Sequence, residues 1–130
     1  MIYFDTSALV KLVFDEAESA ALAEWLTLRT DVAKVSSDLS TVELLRTCRR
    51  VDEGAVESAS LLLGGIDLLP MDRDIVERAA SLPPTEVRSL DAIHLASALS
   101  VETALTAFVA YDARLCAAAA DTGINVVSPT

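Results

Sequence analysis

The sequence predicts an α/β fold with five short strands in a mainly parallel sheet, flanked by helices. Two observations carry that prediction. Five brief apolar runs end in polar or turn residues, and successive runs are separated by segments of helical periodicity rather than by two-residue hairpin turns. Strands joined through helices run parallel, with right-handed crossovers. The hydrophobic share of 52% over 130 residues supplies enough apolar side chain to cover such a sheet on both faces. No internal repeat, low-complexity tract or linker breaks the pattern, so residues 1–130 are expected to form one domain.

Ile2, Tyr3 and Phe4 form the first strand, stopped abruptly by Asp5, Thr6 and Ser7. An uninterrupted apolar strand is buried on both faces, and an acid at its carboxyl end stands where the loops of an open parallel sheet separate into a crevice. Asp5 is equally suited to cap the helix that follows, Ala8 to Val13. Asp15 with Glu18 has the form of a capping box for a second helix through about Arg29, whose apolar face carries Leu22, Trp25, Leu26 and Leu28. Val32 to Ser36 reads as the second strand. Ser36, Ser37 and Asp38 make a turn and cap before a helix from Leu39 to about Glu53. On that helix Glu43, Arg46 and Arg50 fall within about 60° of one another. Val42, Leu44, Leu45, Cys48 and Val51 cover most of the remaining surface, so the helix is expected to be largely buried and its acid conspicuous.

Gly54 interrupts the pattern, Val56 to Leu63 forms another helix, and Gly64-Gly65 turns into the third strand, Ile66 to Leu69. Asp72 opens a helix to about Leu82, and Pro83-Pro84 ends it in a loop reaching Arg88. Ser89 is expected to cap the helix Ser89 to Ala98, which places Asp91, His94, Leu95 and Ala98 on one face. Ala107 to Tyr111 is the fourth strand, ending at Asp112. A helix from Ala113 to Thr122 stops at Gly123, and Asn125 to Ser128 is the fifth strand.

The formal charge of −10 excludes nonspecific coating of nucleic acid by a basic surface. It leaves open a site where acids hold cations, because a bound metal inverts the local sign. Cys48 and Cys116 lack metal-type spacing and read as reduced packing residues. His94 is the single histidine, which excludes a histidine-based zinc site and reads as a packed, hydrogen-bonded ring. The four glycines form no phosphate-cradling loop. No apolar run approaches the roughly 20 residues that cross a bilayer, and Met1 leads straight into the first strand, so a cytoplasmic protein with no membrane partner is expected.

Several acids have local explanations. Asp112 suits an N-cap, Asp91 a helix dipole, and Glu43 with Arg46 an i,i+3 pair. Together they carry more. Asp5 and Asp112 both end apolar strands, whereas Glu43 and Asp91 both interrupt helices that otherwise look buried. Unpaired buried carboxylates are costly, so four converging acids would need cations, and oxygen-only ligands suit Mg²⁺ or Mn²⁺. The chemistry this leaves is metal-assisted hydrolysis of a phosphodiester.

Asp5-Thr6-Ser7, the Ser37 to Arg46 stretch with its Ser, Glu and Arg, the Ser-Leu-Asp-Ala-Ile-His-Leu-Ala of residues 89–96, and Tyr111-Asp112 followed by Leu115 resemble the PIN-domain nucleases. Within that family the compact VapC toxins of bacterial toxin-antitoxin pairs are the nearest in pattern, over the whole chain. The resemblance implies a PIN-like sheet ordered 3-2-1-4-5, with Asp5 and Asp112 on neighbouring strands at the switch point and Asp72 left as a cap beyond the edge strand. It implies that Asp5, Glu43, Asp91 and Asp112 bind one or two Mg²⁺ or Mn²⁺ ions and cleave RNA, as an endoribonuclease toxin. Thr6 or Ser7 would contact a phosphate or a metal-bound water. Lys11, Arg46, Arg50 and Arg114 are the cations placed near the acids, either for RNA or for surface salt pairing. The implied partners are a VapB-like antitoxin, whose tail lies in an apolar groove beside the acids with a basic residue entering the acid pocket to displace metal, and a second copy in a homodimer. One departure is Ala110, where many relatives have threonine. The competing readings are a noncatalytic metal-dependent module that binds RNA or protein, and a phosphatase with Asp5 as nucleophile. Haloacid-dehalogenase-like phosphatases carry a second acid two residues on, where this chain has Ser7.

Overall fold

Strand β1 (Ile2–Phe4) consists of three consecutive apolar residues, none more than 1% exposed, and it lies at the centre of the sheet. The computed structural model describes residues 1–130. After β1 come α1 (Thr6–Val13), α2 (Ser19–Thr27), β2 (Lys34–Ser37), α3 (Leu39–Val51) and, after a single 3₁₀ turn, α4 (Val56–Gly64). β3 (Asp67–Leu69), α5 (Arg73–Ser81), α6 (Ser89–Leu99), β4 (Ala107–Val109), α7 (Ala113–Asp121) and β5 (Val126–Val127) complete the chain. The sheet order is β3-β2-β1-β4-β5 and every pair is parallel.

Alternate residues of a strand point to opposite faces, and the two cores follow that rule. Ile2 and Phe4 pack on one face with Ala107 and Val109 of β4 and with Leu9, Leu22, Leu44 and Cys48 from the helices. Tyr3 packs on the other with Val35, Phe108, Leu95 and Leu99 of α6, and Leu115 of α7. Tyr3 and Phe108 are register partners whose rings stack at 5.4 Å.

Several expectations need correction. Strands two to five are shorter than predicted, because a parallel ladder extends only as far as its partner and β1 offers three residues. The Asp15 and Glu18 capping box does not form. The α2 cap has no side-chain bond, while Lys11 holds Glu16 at 3.2 Å and Glu18 at 2.9 Å, and the Ser19 hydroxyl accepts from the Glu16 amide. Leu28 is exposed rather than on an apolar face, since the helix ends before it. Helix α3 buries only Leu39, Ser40, Leu44 and Cys48, leaving Val42 and Val51 more than half exposed. It lies on the sheet with one face and so is not wrapped. Ser89 is the first helical residue, not the cap, which is Arg88. Both cysteines are free, Cys48 buried and Cys116 half-buried. No helix is long and apolar enough to cross a membrane.

Candidate active site

Residues that leave the carboxyl ends of β1 and β4 are brought side by side by the sheet order, and the acids are built on those exits. Asp5 follows β1 directly, with its amide donating to the Val109 carbonyl of β4 at 3.1 Å. Its side chain caps α1 by accepting from the Ala8 amide at 3.0 Å, and the Ser7 hydroxyl lies 2.7 and 2.9 Å from its two oxygens. Cap and site are therefore the same residue. At 3% exposure, burial raises the Asp5 pKa; Ser7, Ala8 and His94 oppose that, and Asp91 adds to it.

Glu43 reaches the same end from α3, one turn in. Its Oε1 accepts from the Thr6 hydroxyl at 2.6 Å and from His94 Nε2 at 2.8 Å. An ionised carboxylate only accepts, so Nε2 carries the proton that faces Glu43, and on the other side of the ring the Tyr3 hydroxyl lies 2.8 Å from Nδ1. Burial alone would raise the Glu43 pKa, but the bonds from His94 and Thr6 outweigh it, and the pKa ends below its usual value. His94 is packed and hydrogen-bonded, as its sequence setting predicts, yet its partner is Glu43. Sequence reasoning missed that link, for which the only signal was a lone histidine on the face of Asp91. Ser40 extends the network, 3.2 Å from Thr6 and 2.7 Å from Ser36, whose hydroxyl donates to the Phe4 carbonyl at 2.7 Å.

Asp91 lies in the first turn of α6 and Asp112 caps α7, accepting from the Leu115 amide at 3.0 Å. Arg88 joins them, with Nε 2.9 Å from Asp91 Oδ2 and Nη2 3.7 Å from Asp112 Oδ2. Arg88 was also missed, although its i,i+3 spacing to Asp91 is visible in the sequence. Asp72 makes the same cap to Ile75 beyond edge strand β3, so it stays a cap. Thr6 and Ser7 are occupied with the carboxylates of Glu43 and Asp5. Lys11, with a side chain 12% exposed, is committed to Glu16, Glu18 and the Tyr111 ring 4.6 Å away. Arg46, Arg50 and Arg114 are exposed and make no ion pair.

The donors at this edge are carboxylates and hydroxyls, a hard oxygen set that fits Mg²⁺ or Mn²⁺ and not a thiolate or imidazole metal. No group of three or more acids is already arranged to hold an ion. The closest approach to a bound cation is the guanidinium of Arg88.

A family model described as PIN domain matches residues 2–127. The chain is 42% identical over 132 residues to Ribonuclease VapC47 of Mycobacterium tuberculosis (strain CDC 1551 / Oshkosh), spanning 99% of this chain and 97% of that protein. It is 44% identical over 131 residues to Ribonuclease VapC35 of the same strain, again over 99% and 97%. Among solved structures, the Mycobacterium tuberculosis sarcin-ricin loop cleaving toxin VapC20 matches with a TM-score of 0.75 at 19% identity, over 99% of this chain and 100% of that one. VapBC2 from Rickettsia felis, bound to a promoter DNA fragment, matches with a TM-score of 0.76 at 13% identity, over 100% of both chains. At those identities the structures speak for the fold. With the family model and two relatives running nearly end to end, this chain belongs to the PIN-domain family and, within it, to the VapC ribonucleases.

Proposed function

We propose that the chain is a Mg²⁺- or Mn²⁺-dependent endoribonuclease, the toxin of a pair neutralised by a VapB-like antitoxin. The observation that carries this reading is a buried Asp5 at the centre of the sheet edge, with Glu43 oriented toward the same edge by Thr6 and His94. Burying a carboxylate at a crevice without a cationic partner is costly, and a divalent ion relieves that cost. The bound ion would activate water and neutralise charge on the leaving oxygen. Asp5, Glu43, Asp91 and Asp112 would hold it, directly or through water, one or two ions per site. Their own task is to set its position, and Thr6, Ser7 and His94 fix two of those carboxylates in advance. The RNA backbone would then meet the exposed Arg46, Arg50 and Arg114.

The antitoxin would lie along the apolar groove lined by Leu9, Leu12, Leu26, Leu61, Leu62 and Ile66, and a homodimer would cover further apolar surface. The test is incubation of several structured RNAs with the purified chain in Mg²⁺ or EDTA. Metal-dependent shortening supports the reading, and Asp5→Asn, Glu43→Gln, Asp91→Asn and Asp112→Asn should each abolish it. Retention of intact RNA would instead identify a noncatalytic binding module. Full activity in two of the four variants would remove the site.

A further inference from the structure

One contact at the acid edge has no part in the reaction proposed above. Arg88 precedes α6, and its guanidinium spans Asp91 and Asp112, which belong to different helices. It is the only side chain ion-paired to either acid. Asp112 Oδ1 accepts from the Leu115 amide, whereas the oxygen that faces Arg88, Oδ2, has no other partner.

We propose that Arg88 is the resident counter-ion of the metal-free site, and that a divalent ion binds by displacing it from Asp91 and Asp112. This rests on the metal-dependent reading. Two positive groups competing for the same carboxylate oxygens repel each other, so occupancy by one excludes the other. The side chain of Arg88 is 70% exposed, against 16% for Asp91, so the fork reaches in from solvent and can swing out without disturbing the core. Exposed pairs of this kind are weak, which makes the exchange cheap for a doubly charged ion. The contrary role is that of a fixed support orienting Asp91. The two roles predict opposite changes in metal affinity.

Calorimetric titration of Mn²⁺ into wild type, Arg88→Gln and Arg114→Gln separates them, with melting of each protein recorded in EDTA and in Mn²⁺. Displacement predicts that Arg88→Gln binds Mn²⁺ about fivefold more tightly, the upper range for an exposed pair. It also predicts a lower melting temperature than wild type in EDTA and a larger rise on adding Mn²⁺. Arg114→Gln removes an exposed, unpaired charge two residues from Asp112 and should change the Kd by less than about twofold, because screening by solvent weakens unpaired charge. Equal or weaker Mn²⁺ binding by Arg88→Gln, or equal tightening by Arg114→Gln, overturns the displacement and leaves the metal-dependent reading standing. Absence of Mn²⁺ binding in every protein overturns both.

Discussion

Glu43 and Asp5 each accept from two donors, yet their proton affinities move in opposite directions. Burial dominates at Asp5 and raises its pKa, whereas His94 and Thr6 prevail at Glu43 and lower it. The consequences for stability differ in sign. Charged Asp5 is unfavourable in the fold, so its penalty is absent below the ordinary aspartate value of 3.8 and grows as pH rises toward the folded value. Glu43 contributes stability above the ordinary value of 4.5, lost as pH falls through its lower folded pKa. Asparagine caps helices as well as aspartate, so Asp5→Asn should keep the Ala8 bond and shed the charge. At neutral pH in EDTA it should melt above wild type by a few degrees, roughly 1 kcal/mol, and lose most of the gain that wild type draws from Mg²⁺. A variant melting below wild type in EDTA would reduce Asp5 to a structural cap. His94→Ala removes a donor from Glu43, so the pKa of Glu43 should rise. We expect RNA cleavage to fall about tenfold, the usual scale for a residue supporting a metal ligand, with the acidic limb of the pH–rate profile shifted upward. His94→Gln, which retains a donor, should recover part of that loss, and an unmoved pH profile in His94→Ala would remove the positioning role.

Helices α1, α5 and α7 open in the same way, each on an aspartate that accepts the amide three residues ahead at 3.0 Å. The capping bond of Asp5, Asp72 and Asp112 is thus the same, and the strand each follows separates a site residue from a plain cap. Asp72→Ala should cost about 1 kcal/mol, a few degrees of melting temperature, and leave RNA cleavage at the wild-type rate. Asp112→Ala should cost a similar amount of stability and abolish cleavage. Paired melting curves and cleavage assays check both, and loss of activity in Asp72→Ala would break the assignment. At the other end of α1, Lys11 ties the helix to Glu16, Glu18 and Tyr111, so a cation placed near the acids by sequence serves to fasten a loop.

Seen whole, the sheet divides the molecule into two cores and leaves the groove between α1, α2 and α4 on the Phe4 side, apart from the His94 side. Leu61 stands in that groove with 74% of its surface exposed, so it contributes little to the fold. If an antitoxin covers the groove, Leu61→Asp should melt within about 2 °C of wild type, as expected for an exposed surface position, yet fail to retain a co-expressed VapB-like antitoxin on affinity purification. Full retention of the antitoxin would place it elsewhere.

Strand and helix order, the acids that follow β1 and β4 and, through the resemblance, the family are all legible in the amino-acid sequence. Those features are written in local patterns: apolar runs for buried strands, aspartates at helix starts, glycine at a left-handed stop such as Gly123. Element ends were less legible, because the length of a parallel strand is set by its partner. Which side chain each acid faces is set by packing and could not be read from local pattern. Thr6 meets Glu43 across 37 residues and Tyr3 meets His94 across 91, distances over which no periodicity speaks. The exposure of Val42 and Val51, the capture of Glu16 and Glu18 by Lys11, and the bridge of Arg88 from Asp91 to Asp112 were settled the same way. A side chain's partner is fixed by packing of the sheet order into three dimensions, and a hydrogen bond forms only between groups that packing brings within about 3 Å.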